Sequence, residues 1–309
     1  MSKEMPESAS HSNFKSVSEA GLDYSCYPMY LFEKSKRLGV WNPSEIDLTQ
    51  DAFDWGNFSD AQKRSFLRLT CMFQAGEESV ALDLLPLIDV VASEGRVEEE
   101  LYLASFLFEE AKHVDAFRRW LDFVVGKREF EHLFTPSYRK IFYNELPGAM
   151  RRLMHDRSAE AQARAVATYN IIVEGVLAET GYYSYYRVID NLHVMPGMRK
   201  IVQYVKIDEA RHIAFGIYLL SRLGAENGDV VWKAIDSQLD LLMPLALSLV
   251  NETFDAMGSS PPFEMSLDEF ATFAMNQFQK RTAALERTKE MSLYDILHMH
   301  SRNLALDEE

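Results

Sequence analysis

The sequence predicts an all-α bundle. Long stretches carry apolar residues at three and four spacing, helix caps stand in front of them, and no segment alternates with β-branched enrichment as a half-buried strand would. Residues 1–20 are polar, Ser-rich and poor in large apolar side chains, which predicts a flexible tail. A connector follows and ends in Trp41-Asn42-Pro43 and an acidic stretch. Ser59-x-x-Gln62 has the form of a capping box and starts a helix expected to reach about residue 92. A second helix fits 97–125, broken at Gly126, and Pro136-Ser137 opens a third, interrupted near Pro147-Gly148. Ser158 caps a fourth, expected to continue to about residue 189. Met195-Pro196-Gly197 starts the next, expected to end near Gly224. Another fits 228–257, stopped by Gly258-Ser-Ser-Pro-Pro, and a shorter one fits 266–285. The reading places one domain over 21–290 and a C-terminal tail over 291–309.

Composition narrows the function classes. Of 309 residues, 47% are hydrophobic, enough for a core that can bury a polar site. A net charge of −15 argues against a nucleic-acid surface, which needs a basic footprint, and against anionic lipid heads. Cys26 and Cys71 form no Cys-x-x-Cys pair, and free thiols suit a reducing cytoplasm. The N-terminus has no apolar core of signal-peptide type, and no run of about 18 apolar residues spans a membrane. Cytoplasmic localisation is the expectation.

One internal echo carries the chemistry. Glu110-Ala-Lys-His113 and Glu209-Ala-Arg-His212 match at every decisive position, and each follows a helix bearing a Glu in apolar company, Glu77 and Glu174, at nearly the same separation. Glu and His three apart on a helix point from one face. Two such pairs and two further glutamates make six ligands, the arrangement of di-iron and di-manganese carboxylate bundles. Carboxylates can bridge two cations, four of them balance two divalent ions, and one nitrogen per metal leaves positions open for dioxygen. A single Glu-x-x-His is usually a solvated pair. The duplication, and the apolar company of Glu110 (Leu103, Phe106, Leu107, Val114, Phe117), favour a buried metal site, because an isolated buried charge is costly. Glu109 shares its face with Tyr102, Ser105 and Lys112, which predicts a solvent-facing side chain. Periodicity does not choose between Glu77 and Glu78, or between Glu174 and Glu179.

Trp41-Asn-Pro-Ser-Glu-Ile-Asp, the Glu-Glu-Ala-Lys-His run ending at His113, and Asp208-Glu-Ala-Arg-His212 resemble the small subunit of ribonucleotide reductase, over roughly 25–290. The resemblance implies a ferritin-like four-helix core with additional helices, and a homodimer. Reductases usually store a radical on a tyrosine four residues after the first ligand His, where this chain has Phe117. A second branch, the ligand-binding oxidases, is marked by a Val three residues after the first Glu ligand and a Tyr five before the third. Val80 and Tyr169 fit both marks, and the same spacings select Glu77 over Glu78 and Glu174 over Glu179. The resemblance to that branch implies an ether bond from the valine Cβ to the tyrosine oxygen. It also implies a manganese/iron pair, with manganese in the first half and iron in the second (two irons being the alternative), and a long-chain fatty acid bound at the metals. The expected reaction is a dioxygen-dependent two-electron oxidation of a hydrophobic substrate. The plainer roles are core packing for Val80 and a hydrogen-bonded buried phenol for Tyr169. Trp41 and Asp208 match reductase positions that relay an electron, and Asp208 is placed to orient a ligand imidazole. His11, His132, His155, His193, His298 and His300 have no carboxylate echo and are expected at the surface or as caps. The tyrosines Tyr182, Tyr183, Tyr185 and Tyr186 are expected to pack between helices rather than line a pocket.

Overall fold

The computed structural model describes residues 14–126, 129–258 and 261–299. His11, His300, Ser259, Ser260 and the outer parts of both expected tails lie outside them. Among the described residues every regular element is helical, as the periodicity predicts. The bundle that matters for function is built from four long segments. These are α3 (Asp60–Asp83), α5 (Val97–Trp120), a helical run from Ala159 to Leu192, and α10 (Pro196–Asn227). The capping box of α3 forms as expected, with Ser59 and Gln62 satisfying each other's backbone.

Several expected boundaries move. Two helices precede α3 where a connector was expected: α1 (Tyr27–Leu38), packed on α5 and α10, and α2 (Thr49–Asn57). The helix expected to run to residue 92 breaks at Leu84, just ahead of Pro86, and α4 (Leu85–Ser93) restarts it. The interruption expected near Pro147-Gly148 is absent: Pro147 is the second residue of α7 (Leu146–Arg152), which continues directly from α6 (Pro136–Lys140) and a π turn at Ile141–Glu145, so the proline falls where a helix start tolerates it. α10 passes Gly224 and ends at Gly228, whose φ of 69° suits a glycine cap. Gly224 is small for another reason: a Cβ there would lie 2.3 Å from the Trp232 ring. α11 (Asp229–Asp255) and α12 (Leu267–Thr288) cover the outer side of the run 159–192, and a short α13 (Leu293–Leu297) seats Ile296 against α10.

The run 159–192 is the least regular. α8 (Ala159–Val166) and α9 (Glu179–Leu192) flank a π-helical segment, Ala167–Ala178, in which ten residues are buried. π segments inside α-helices concentrate at functional sites. This one carries Tyr169 and Glu174.

Two apolar clusters fill the bundle. On α5, Leu103 and Phe106 belong to one, and Phe117 and Trp120 to the other; on α10, Val202 and Val205 belong to the second, and Ile213 and Ile217 to the first. Glu110, His113, Glu209 and His212 occupy the junction between them. The entry of α10 is fixed by Asp51 of α2, which accepts from the Gly197 and Met198 amides and the Trp120 indole. No helix among the described residues is long and apolar enough to cross a membrane.

Candidate metal centre

The spacing of the two Glu-x-x-His pairs brings their side chains to the bundle axis, and all six predicted ligands converge there, buried. Ligand-type atoms gather in two groups: Glu77, Glu110, His113 and Glu209 in one, and Glu110, Glu174, Glu209 and His212 in the other. Each group has one imidazole and one carboxylate of its own, and both share Glu110 and Glu209. Glu78 is exposed, and Glu179 lies outside both groups near Lys206.

The imidazoles show how the site is aimed. His113 Nε2 faces Asp208 at 3.3 Å and His212 Nε2 faces Glu109 at 2.9 Å. The opposite nitrogens, both Nδ1, point inward and lack hydrogen-bond partners among the described residues, as do Glu110 Oε2, Glu174 Oε1 and Glu209 Oε2. Buried polar atoms are normally satisfied, so five orphans gathered in these two groups call for cations between them. Carboxylate and imidazole donors suit cations such as manganese and iron. The residues therefore fit a pair of metal ions.

Each outward nitrogen is held by a carboxylate, which fixes the ring's orientation and tautomer. Asp208 also accepts from the Trp41 indole at 2.8 Å, Lys112 at 3.1 Å and Arg211 at 2.6 Å, which joins Trp41 to His113 through one carboxylate. Glu109 does not face solvent. It is 1% exposed and accepts from His212 and, at 2.6 Å, from Arg211. Sequence reasoning missed it because Tyr102 and Lys112, its companions on α5, are themselves buried, under α1 and the Trp41 loop. The available signal was chemical: if Asp208 orients one imidazole, the other needs an acceptor too. Glu174 is held by Asn170 one turn earlier, at 2.7 Å, and Gly216 of α10 makes room for it, since a Cβ there would lie 2.2 Å from Asn170 Cβ.

Tyr169 lies beside the Val80 backbone. The Tyr169 hydroxyl donates to the Val80 carbonyl at 3.2 Å and stands 3.4 Å from Glu110 Oε1. Beside them lies an apolar cavity of about 120 Å³ that touches Glu77, Val80, Glu174 and Glu209 and runs outward past Met72, Phe142, Leu177, Leu249 and Phe270. Its lining comes from distant segments, which is why no single motif revealed it. None of Tyr182, Tyr183, Tyr185 or Tyr186 lines it. His132, His155 and His193 are exposed, and His298 bonds to the Tyr294 carbonyl.

Without cations, protons balance the charge. Burial pushes Glu77 up to about 8, and burial with the Glu209 charge also raises Glu174. Burial opposes charging of both imidazoles, yet the carboxylates around them drive their pKa upward. Glu110 goes the other way: burial alone would raise it, but His113 and His212 hold it at about 2. A group raised on folding stabilises at low pH, and that contribution is lost as pH rises through the folded value. Glu110 has the opposite sign, but its contribution is complete above its unfolded value of 4.5 and constant beyond it. Chelated protein should therefore melt at a lower temperature at about pH 9 than at about pH 6, and Glu77→Gln should flatten that slope. A melting point that rises over this interval would contradict the charge arrangement.

A family model described as ribonucleotide reductase, small chain, matches residues 29–286. Among solved structures, an R2-like ligand-binding oxidase from Sulfolobus acidocaldarius is 38% identical with a TM-score of 0.85, over 93% of this chain and 99% of its own. Another R2-like ligand-binding oxidase, with an aerobically reconstituted Mn/Fe cofactor, is 36% identical with a TM-score of 0.85, over 90% of this chain and 99% of its own. A point mutant of such an oxidase, with an anaerobically reconstituted Mn/Fe cofactor, is 36% identical with a TM-score of 0.87, over 91% of this chain and 100% of its own. The chain belongs to the ribonucleotide reductase small-chain family and, within it, to the R2-like ligand-binding oxidases.

Proposed function

We propose that the protein is a dioxygen-activating oxidase with a manganese/iron pair, and that it oxidises a bound hydrophobic, fatty-acid-like ligand by two electrons. The observation that carries this reading is the apolar cavity ending on Glu77, Glu174 and Glu209. Glu77, Glu110, His113, Glu174, Glu209 and His212 would hold the metals, with manganese assigned to the first group and iron to the second; that relatives carry an Mn/Fe cofactor supports the choice of metals. The metal pair, when bound, supplies the reduction of dioxygen.

The chain's own residues do the rest. Asp208 and Glu109 fix the imidazoles, and Asn170 fixes Glu174. Apolar walls exclude water and align a hydrocarbon against the centre, with an anionic head group drawn toward the cations. Tyr169 loses its hydroxyl hydrogen and Val80 its Cβ hydrogen, and an ether bond joins Tyr169 Oη to Val80 Cβ. The two hydrogens leave as two protons and two electrons, and dioxygen is the acceptor of both. The short approach of the Tyr169 hydroxyl to the Val80 backbone supports this pairing. Buried free thiols at Cys26 and Cys71 support a cytoplasmic setting, and family membership supports a homodimer.

The experiment is mass spectrometry of tryptic peptides after aerobic loading with manganese and iron. The peptides bearing Val80 and Tyr169 should appear joined, lighter by two hydrogens, and separate in Tyr169→Phe. The second reading is a reductase small subunit. The chain Trp41–Asp208–His113 favours it, and the buried Phe117 in place of a radical-storing tyrosine opposes it. Unlinked peptides together with binding of a reductase large subunit would establish that second reading instead.

A further inference from the structure

A second buried constellation lies beyond Phe106, outside the metal centre. The Tyr218 hydroxyl on α10 donates to Glu99 Oε1 of α5 at 2.9 Å, and both side chains are buried. Arg222 braces the same carboxylate, with Nε 3.1 Å from Oε1 and Nη2 3.2 Å from Oε2, and Arg96 stands 3.8 Å away. Burial raises Glu99 above the ordinary carboxylate range even with both guanidiniums beside it. A buried carboxylate thus accepts the hydrogen bond of a buried phenol.

Aromatic rings connect this pair to the centre. Phe106 stacks on His212 at 3.6 Å between centroids. Tyr102 follows at 6.1 Å, Phe215 at 4.7 Å and Tyr218 at 5.8 Å. The row continues outward through Tyr27 to the half-buried Tyr30, each step 5.8 Å. Along the α10 axis, His212 and Tyr218 are about 9 Å apart. A phenol gives up an electron readily only if its proton can leave too. The Tyr102 hydroxyl has no hydrogen-bond partner among the described residues, whereas Tyr218 has Glu99. A mere anchor between α5 and α10 would need the ion pair but neither the phenol nor the row of rings.

We propose that Tyr218, with Glu99 as its proton acceptor, is a redox-active residue that draws oxidising equivalents out of the metal centre when no hydrophobic ligand consumes them. The inference rests on the oxidase reading above. In each step Tyr218 would give up one electron toward the loaded centre, its O–H bond breaking as the proton passes to Glu99 Oε1. Arg222 keeps Glu226 at 2.7 Å, so the neutral Glu99 does not leave it unpaired. An external one-electron reductant, a small thiol or ascorbate, refills the hole through Tyr30 and Tyr27, and the proton returns from Glu99.

Two measurements test this. In metal-free protein oxidised by pulse radiolysis with azide radical, Tyr218→Phe should shorten the lifetime of the tyrosyl signal by about tenfold. Glu99→Gln should do the same, and if it fails to fold, Tyr218→Phe carries the test. Equal lifetimes in wild type and Tyr218→Phe overturn the inference. In protein loaded with manganese and iron and aerated without lipid, freeze-quench electron paramagnetic resonance should show a tyrosyl radical that Tyr218→Phe lacks, with dioxygen uptake followed in parallel. Uptake with the same signal in both proteins overturns the inference. No uptake by the wild type sinks the oxidase reading itself, and the metal-free measurement still decides on Tyr218.

Discussion

Replacing Glu110 by alanine empties both metal positions at once. Glu110 and Glu209 belong to both ligand groups, whereas Glu77 and Glu174 each belong to one. Loss of Glu110 leaves either imidazole with fewer anionic neighbours and removes a carboxylate able to bridge the cations. The variant loses the attraction by which His113 and His212 hold Glu110 low, but it should still fold, because Glu77, Glu174 and Glu209 still face those imidazoles. Elemental analysis after reconstitution should find about two metals per chain in wild type and close to none in Glu110→Ala, with unchanged helical circular dichroism. Glu77→Ala should instead impair the first group and leave Glu174, Glu209 and His212 able to hold one ion. Full retention of both metals by Glu110→Ala would show that the carboxylate is not shared.

That contrast explains which parts were legible in the sequence. Glu110-x-x-His113 and its echo were readable because two ligands on one helix face impose a fixed spacing. Val80 and Tyr169 were readable only through family resemblance, since a valine and a tyrosine in apolar company otherwise look like core. α1 and α2 were missed because their N-caps, Cys26 and Leu48, carry no side-chain cap bond. The π segment leaves no local signature either. Its irregular register rests on tertiary contacts, above all Asn170 bonded to both Glu174 and the His212 carbonyl in the space left by Gly216. Gly224 was misread because glycine serves two purposes, ending helices and admitting close neighbours; only the Trp232 ring shows which applies. Glu109 was misread because amphipathic periodicity assumes one buried face, and α5 is covered on more than one side.

Glu109 is also where the second large effect is expected. Its carboxylate joins Arg211, 2% exposed, to the outward nitrogen of His212. Glu109→Ala would leave Arg211 with Asp208 as its remaining carboxylate, and Asp208 already serves His113, Lys112 and Trp41. Breaking a buried ion pair by removing one partner costs about 3–5 kcal/mol. Losing the acceptor that orients a metal-binding imidazole costs about 10–100-fold in metal affinity. Both effects should fall on the group containing His212, so competition with a metal chelator should weaken the second ion much more than the first. Glu109→Gln separates the two contributions. Its amide oxygen can still accept from His212, so the ring stays oriented, while the charge facing Arg211 is gone. Metal affinity should then recover toward wild type while the melting temperature stays depressed. Gly39→Ala offers an independent check, because a Cβ at that position would lie 2.2 Å from Glu109 Oε1 and displace the carboxylate without changing its charge. If all three variants held the second ion as tightly as wild type, Glu109 would be a structural ion-pair partner alone, and the tautomer of His212 would have to be set by something else.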